Sequence, residues 1–276
     1  MTQKSILITG ATSGIGLAAA ETLKGRGWRV LATARKADDI ERLRIEEGLE
    51  VIPLELADPA SVAACADEAL RLTDGRLTAL YNNGAYGQVG AIEDLSSEVL
   101  RHQFEVNFFA PHELVRRIVP AMRANGGGRI VQCSSVLGLM AAPYRGAYCA
   151  SKFALEALTD SLRLELADVP GIKVSLIEPG PIRTKFVATA LARFKATIDM
   201  EHSPHKATYQ KRLDTMEGGG LERFKLEPSE VVFKLIQALE SPSPKARYYV
   251  TTPTHAAGFL KRVLPTSMLD RFAARS

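Results

Sequence analysis

Cysteine, histidine and tryptophan are scarce in this chain, and long apolar runs are missing. The three cysteines, Cys65, Cys133 and Cys149, are odd in number and widely spaced. That argues against a disulfide framework or a paired-cysteine metal or redox site, and it marks them as reduced core residues. His202 and His205 are separated by Pro204, with no cysteine or third histidine nearby, so no metal site is expected. No apolar stretch can span a bilayer. The first apolar run begins without a basic and long apolar leader, so no secretory signal is expected and a cytoplasmic location is. A strong charge of one sign is also missing. The 35 Lys and Arg against 31 Asp and Glu leave a net charge of +4, scattered over polar faces such as Arg116-Arg117, which does not make a nucleic-acid footprint. There is no internal repeat, low-complexity tract or linker. The 276 residues are therefore read as one domain, 1–276, with a substantial core.

What is present starts at Ser5. Ile6, Leu7 and Ile8 enter a glycine-rich turn, an alanine-rich helical stretch follows, and Val30–Ala34 forms a second apolar run. This is the order of a dinucleotide-binding βαβ unit. Gly10 suits a tight turn after the strand, Gly14 lets a phosphate approach the backbone, and Gly16 lets the helix pack closely on the sheet. Ser13 and Ile15 lie in the same turn, and the free amides at the helix N-terminus suit a diphosphate. The segment TGATSGIG resembles the cofactor signature of the short-chain dehydrogenase/reductase family, in its hydroxysteroid and retinol dehydrogenase-like branch.

Apolar runs at Ile6–Thr9, Val30–Ala34, Val51–Leu54, Ala79–Asn82, Ile130–Ser134, Val174–Glu178 and Tyr248–Thr251 alternate with helical patterns. They predict an α/β fold, a doubly wound seven-stranded parallel sheet with helices on both faces. The resemblance implies the strand order 3-2-1-4-5-6-7 and a homodimer or homotetramer.

Cofactor choice is read at the end of the second strand. An NAD site usually has a carboxylate there. This chain has Ala34, Arg35 and Lys36, two cations where a 2′-phosphate would sit, so the cofactor expected is NADP(H). The resemblance places the adenine at Glu55-Leu56, where the family usually has Asp in place of Glu55. Asp58 is read as the N-cap of a helix over Ala60–Leu72. Asn83 and Gly84 match the family's contact with the adenosine ribose, although Gly84-Ala85 reverses its usual order. Asn83 is also read as a brace of the sheet.

Tyr148 and Lys152, four apart before a helix over Phe153–Ala167, project from one face. A phenol of pKa about 10 is a poor base at neutral pH, and an ammonium with an oxidised nicotinamide favours its phenolate. A shift of three units takes about 4 kcal/mol. The resemblance places its serine thirteen residues before the tyrosine. That selects Ser135 to polarise the substrate carbonyl and leaves Ser134 to cap or brace the strand. It also assigns Asn107, inside a long amphipathic helix, to a proton relay. It assigns Pro179, Gly180, Ile182 and Thr184, in a proline-glycine turn, to the nicotinamide.

Residues 185–226 are expected to form a mobile helical lid over the substrate pocket, with pieces at Lys185–Ala196 and His205–Met216 and a hinge at Gly218–Gly220. A tail, 253–276, is amphipathic and broken by Pro265. It suits packing on its own domain, on a second subunit, or peripherally on a membrane surface. The function implied is reversible hydride transfer between NADP(H) and a carbonyl/alcohol substrate, bulky and hydrophobic. Reduction of a 3-oxoacyl thioester is the enzymatic alternative, and a non-catalytic NADP sensor is the alternative from another class.

Overall fold

The strands alternate their side chains between two cores, and that alternation builds the molecule. Ile6 and Ile8 of β1 (Ser5–Ile8) enter one apolar cluster and Leu7 enters the other; Val30, Ala32 and Ala34 of β2 (Arg29–Ala34) likewise oppose Leu31. A strand period of two makes this unavoidable when both faces are covered. With β3 (Glu50–Pro53), β4 (Ala79–Asn82), β5 (Gly128–Cys133), β6 (Ile172–Glu178) and β7 (Arg247–Tyr249) they form a seven-stranded sheet in the order 3-2-1-4-5-6-7, with all pairings parallel. The computed structural model describes residues 3–217 and 224–274, so the expected hinge at Gly218–Gly220 lies outside the described residues.

On one face lie α1 (Gly14–Gly25), α2 (Ala37–Ile45) and α9 (Pro228–Glu240), which supply Leu23, Leu43 and Leu235 to the first core. On the other lie α3 (Pro59–Leu72), α5 (Ala110–Ala124) and α6 (Gly146–Glu165), with Ala66, Leu114 and Ile118 buried in the second. Asp58 caps α3 as its position before Pro59 suggested, accepting from the Ala60 amide at 2.9 Å.

Four expectations are corrected. The helix expected at Phe153 begins at Gly146 and so already contains Tyr148. The seventh strand ends at Tyr249, because Thr251 is the N-cap of α10 (Thr252–Val263), with Pro253 in its first turn. The long helix around Asn107 is α4 (Ser97–Phe104) and α5 joined by one widened π-turn at Glu105–Phe109. The lid pieces expected at Lys185–Ala196 and His205–Met216 each lie one residue later, as α7 (Phe186–Thr197) and α8 (Lys206–Glu217), and they share a third core of Ala190, Phe194, Tyr209 and Leu213 against Val89 and Ala91.

The tail forms α10 and α11 (Thr266–Ala273), interrupted at Leu264-Pro265. α10 packs on its own domain. Thr254, Ala257 and Gly258 are buried, and Lys261 lies 4.3 Å over the Phe153 ring.

Candidate active site

The site lies where the strand order reverses between β1 and β4, at the carboxyl ends of the strands. In open α/β sheets that is where a crevice forms. A cleft of about 600 Å³ opens there.

Its floor is the turn after β1. Gly10 has φ of +67° and its Cα region faces Gly84 so closely that a Cβ would sit 2.7 Å from the Gly84 Cα. A Cβ on Gly16 would strike the Gly10 carbonyl, so α1 can approach the sheet only with glycine there. Ser13 precedes α1 without a side-chain cap, and the first helical amide to find its own helix is that of Leu17, on the Ser13 carbonyl. The amides before it point to a ligand of negative charge, and Ser13, Gly14 and Ile15 line the cleft. This arrangement fits a dinucleotide diphosphate.

Asn83 braces this floor. Its amide donates to the carbonyls of Thr9 and Gly10 at 3.0 and 3.2 Å, while the Thr9 hydroxyl accepts the amides of Asn83 and Gly84, both at 2.9 Å. The order Gly84-Ala85 is therefore not a neutral exchange of small residues. At position 84 a Cβ would meet the end of the Leu56 side chain at 2.7 Å, so a larger residue there would push Leu56 aside.

The opposite wall carries Ser135, Tyr148 and Lys152. Ser135 follows β5, and its hydroxyl accepts from the Leu137 amide at 3.1 Å, capping a short helical turn. The cap thus belongs to Ser135, while Ser134 braces the strand through its main-chain amide on Ile177 at 2.8 Å. Tyr148 and Lys152 are both buried on α6. The Lys152 ammonium donates to the Cys133 carbonyl at 2.7 Å and lies 5.7 Å from the centre of the Tyr148 ring. Burial pushes the Tyr148 phenol well above its ordinary value, against the pull of the Ser135 hydroxyl and the Arg145 guanidinium. Burial also lowers the Lys152 ammonium. Among the chain's own groups, then, the phenol is held protonated, not driven towards phenolate.

Asn107 is buried in the widened turn. Its oxygen accepts from the Tyr86 amide at 3.1 Å, and its nitrogen donates to the Tyr86 carbonyl at 2.9 Å and to Ser151 Oγ at 3.2 Å. These three bonds hold the Tyr86 segment against α6.

The cleft brings Gly10, Ser13, Gly14, Ile15, Asn83 and Gly84 together with Ser135, Tyr148, Lys152, Pro179, Gly180, Ile182 and Thr184. It does not include Gly16, Arg35, Lys36, Glu55, Leu56 or Asn107. Gly16 lies beneath the floor, and Arg35 and Lys36 are exposed beyond its edge. Arg35 meets Glu55 at 3.1 Å, and Leu56 supports Gly84 from below. Thr184 has a second task, because its hydroxyl accepts from the Phe186 amide at 3.3 Å at the start of α7.

Sequence reasoning missed three contributors. Phe186 stands edge-on to Tyr148, with ring centres 5.5 Å apart. Thr33 takes the Gly10 amide on its hydroxyl at 3.2 Å. Arg42 donates to the Thr12 carbonyl at 2.7 Å, tying α2 to the turn. Only Phe186 carried a signal, as an aromatic residue two positions beyond Thr184.

A family model described as short chain dehydrogenase matches residues 4–193. The "Uncharacterized oxidoreductase YbbO" of Escherichia coli (strain K12) is 45% identical over 270 residues, covering 98% of this chain and 93% of that protein. The 17-beta-hydroxysteroid dehydrogenase type 1 of Homo sapiens is 33% identical over 264 residues, covering 91% and 78%. Among solved structures, a short chain dehydrogenase/reductase from Burkholderia phymatum in complex with NAD superposes with a TM-score of 0.77 at 26% identity, over 99% of this chain and 96% of that one.

Proposed function

This chain belongs to the short-chain dehydrogenase family of oxidoreductases, and we propose that it is an NADP(H)-dependent enzyme that reduces a bulky, hydrophobic carbonyl compound to its alcohol and can run in reverse. The observation that carries this reading is the meeting of Ser135, Tyr148 and Lys152 with the glycine turn in one cleft. Arg35 and Lys36, with no carboxylate at the end of β2, support NADP(H) over NAD(H).

The hydride would come from the nicotinamide of a cofactor held in this cleft. The chain's own residues do the rest. Ser135 offers its hydroxyl to the substrate carbonyl oxygen, where negative charge develops. Tyr148, kept protonated by burial, delivers its proton to that oxygen. Lys152 supplies a buried positive charge next to the phenol. Asn107, bonded to Ser151 beside Lys152, holds the proton path to that lysine. Pro179, Gly180, Ile182 and Thr184 orient the carboxamide end of the cofactor, and Glu55, Leu56 and Asn83 frame its adenosine. Leu137, Phe186 and Val187 in the cleft wall support an apolar substrate, under a lid formed by 185–226. Among the described residues no helix is long and apolar enough to cross a membrane. A cytoplasmic location and a homodimer or homotetramer belong to the same proposal.

The test is a screen of purified protein against aldehydes, ketones and alcohols, followed through NADPH absorbance. Consumption of NADPH with apolar carbonyl compounds is expected. A protein that binds NADPH and turns over no member of the panels would contradict the reading.

A further inference from the structure

The wall of the cleft contains five cationic side chains and no carboxylate: Lys152, Arg145, Lys185, Arg212 and Lys225 line it, and none of the lining residues is Asp or Glu. Lys152 is accounted for by the chemistry. Lys185 stands next to Thr184, which packs on Gly14 of the cofactor turn. Arg145 and Arg212 belong elsewhere, on the turn before α6 and on α8. The two elements pack on each other and on the Gly90–Asp94 segment.

The turn that carries Arg145 is held against its own preference. Tyr144 has φ of +63°, a left-handed conformation that a bulky residue adopts at a cost. The Gly90 amide donates to its carbonyl at 3.0 Å, its hydroxyl meets His205 Nδ1 at 3.2 Å, and its ring stands edge-on to Tyr209. The Arg212 guanidinium lies over the same ring at 4.5 Å. Arg145 is the next residue, so the strained turn and α8 bring two guanidinium groups to one end of the cleft.

Neither guanidinium has an ion-pair partner among the described residues. For Arg145 the surroundings disfavour positive charge. Burial lowers the Arg145 guanidinium, and Arg212 lowers it further, while Tyr148 and Cys149 act in the other direction. Other arginines of this protein find carboxylates or carbonyls: Arg247 reaches Glu156, Asp160 and Glu178, Arg117 reaches Glu113 and Asp67, and Arg129 donates to the main-chain oxygens of Gly128 and Gly171. Two converging cations without an acid in a concave, partly desolvated site are an anion receptor, because an incoming anion would recover the interaction energy that burial has removed.

We propose that Arg145 and Arg212 form a subsite for an anionic group on the substrate, so that the natural carbonyl compound is an amphiphile with an apolar body and a carboxylate, sulfonate or phosphate end. This rests on the reading of the chain as a carbonyl reductase and narrows its substrate class. The apolar wall at Leu137, Phe186 and Val187 receives the body, and the planar forks of the two arginines suit the oxygen pairs of such a group.

The experiment compares n-alkanals with ω-oxoalkanoates of the same chain length, over a series of lengths, as substrates for NADPH-dependent reduction. The expected result is a kcat/KM ratio of about tenfold or more in favour of the carboxylate at the best length, falling as salt is added. Arg145→Met and Arg212→Met should each bring that ratio close to one, and Arg212→Lys should keep part of it. A wild-type ratio near one, or a ratio preserved in both Met variants, overturns the subsite while leaving carbonyl reduction standing. If Arg145 acts only by tuning Tyr148, its replacement lowers both substrates equally and the ratio persists, which also overturns the subsite. If no aldehyde of either kind is reduced, the carbonyl reading fails, and the subsite is judged by calorimetric titration of decanoate into the NADP-loaded protein. Binding lost in both Met variants supports it; absent or unchanged binding overturns it.

Discussion

The Lys152 ammonium donates to the main-chain oxygen of Cys133 at 2.7 Å. Cys133 is the last residue of β5, two positions before Ser135. The strand that leads into Ser135 therefore also anchors the ammonium near Tyr148. The charge is buried, which strengthens its action on a neighbouring proton and makes the ammonium itself easier to lose.

That relationship sets the pH dependence of reduction. Tyr148 is pushed up, so its acid form persists through neutral and alkaline pH. Lys152 is pushed down from 10.5, so its charge is lost as pH rises, earlier than for an exposed lysine. The kcat/KM for reduction should be flat near neutrality and fall on the alkaline side below pH 10.5. Lys152→Arg should move any remaining activity's fall to higher pH. A profile that rises through this range would assign the proton donor elsewhere.

Cofactor affinity should report the Arg35–Glu55 pair. NADPH is expected to bind tighter than NADH by more than about tenfold, or about 1.4 kcal/mol, and Arg35→Asp should shrink or reverse the gap. Glu55 occupies the Arg35 guanidinium at 3.1 Å in an exposed pair. Exposed pairs of this kind are worth about 0.2–1 kcal/mol. Glu55→Gln should then widen the preference by a few-fold at low salt. Equal affinities in the native protein, measured by fluorescence titration, would remove the assignment.

A partly buried charge cluster around Arg247 makes a separate stability prediction. Arg247 on β7 reaches Glu156 and Asp160 of α6 and Glu178 of β6. Burial raises Glu156, and it raises Glu178 to about 8. Arg247→Met leaves these carboxyls without their cation, at a cost of about 3–5 kcal/mol. A carboxyl whose folded value is raised holds its proton in the native state, so its contribution is present below the unfolded value and lost as pH climbs through about 8. The variant should be closer to native stability at acidic pH than at mildly alkaline pH by urea denaturation, and Glu156→Gln added to it should restore part of the loss. A pH-independent penalty would contradict the charge argument.

The parallel sheet and its glycine turn were legible because their signals are local. Near-continuous apolar runs mark strands covered on both faces, and Gly10, Gly14 and Gly16 lie within one turn. The third core was not legible. Its residues Ala190, Phe194, Tyr209 and Leu213 are divided between two short helices, neither of which shows a stripe alone, and they meet only across α7 and α8. The widened turn at Asn107 has no compositional mark, since the same residues can form an ordinary helix. The Arg247 cluster joins α6, β6 and β7, which no spacing rule connects. Tyr144 gave no sign of a left-handed backbone, because tyrosine is not chosen for that conformation; its neighbours on α8 and at Gly90 impose it.

The most direct test of the account replaces one oxygen atom. Tyr148→Phe should bind NADPH almost as the native protein does, since the ring remains in place against Phe186, while turnover of an apolar carbonyl substrate falls by about 10²–10⁴-fold, the scale of a lost general acid. Ser135→Ala, measured alongside, should lower turnover by about 10²–10³-fold, and Ser134→Ala should change it little. Retention of near-native turnover by Tyr148→Phe, with NADPH binding intact, would show that the proton comes from another group and would contradict the mechanism.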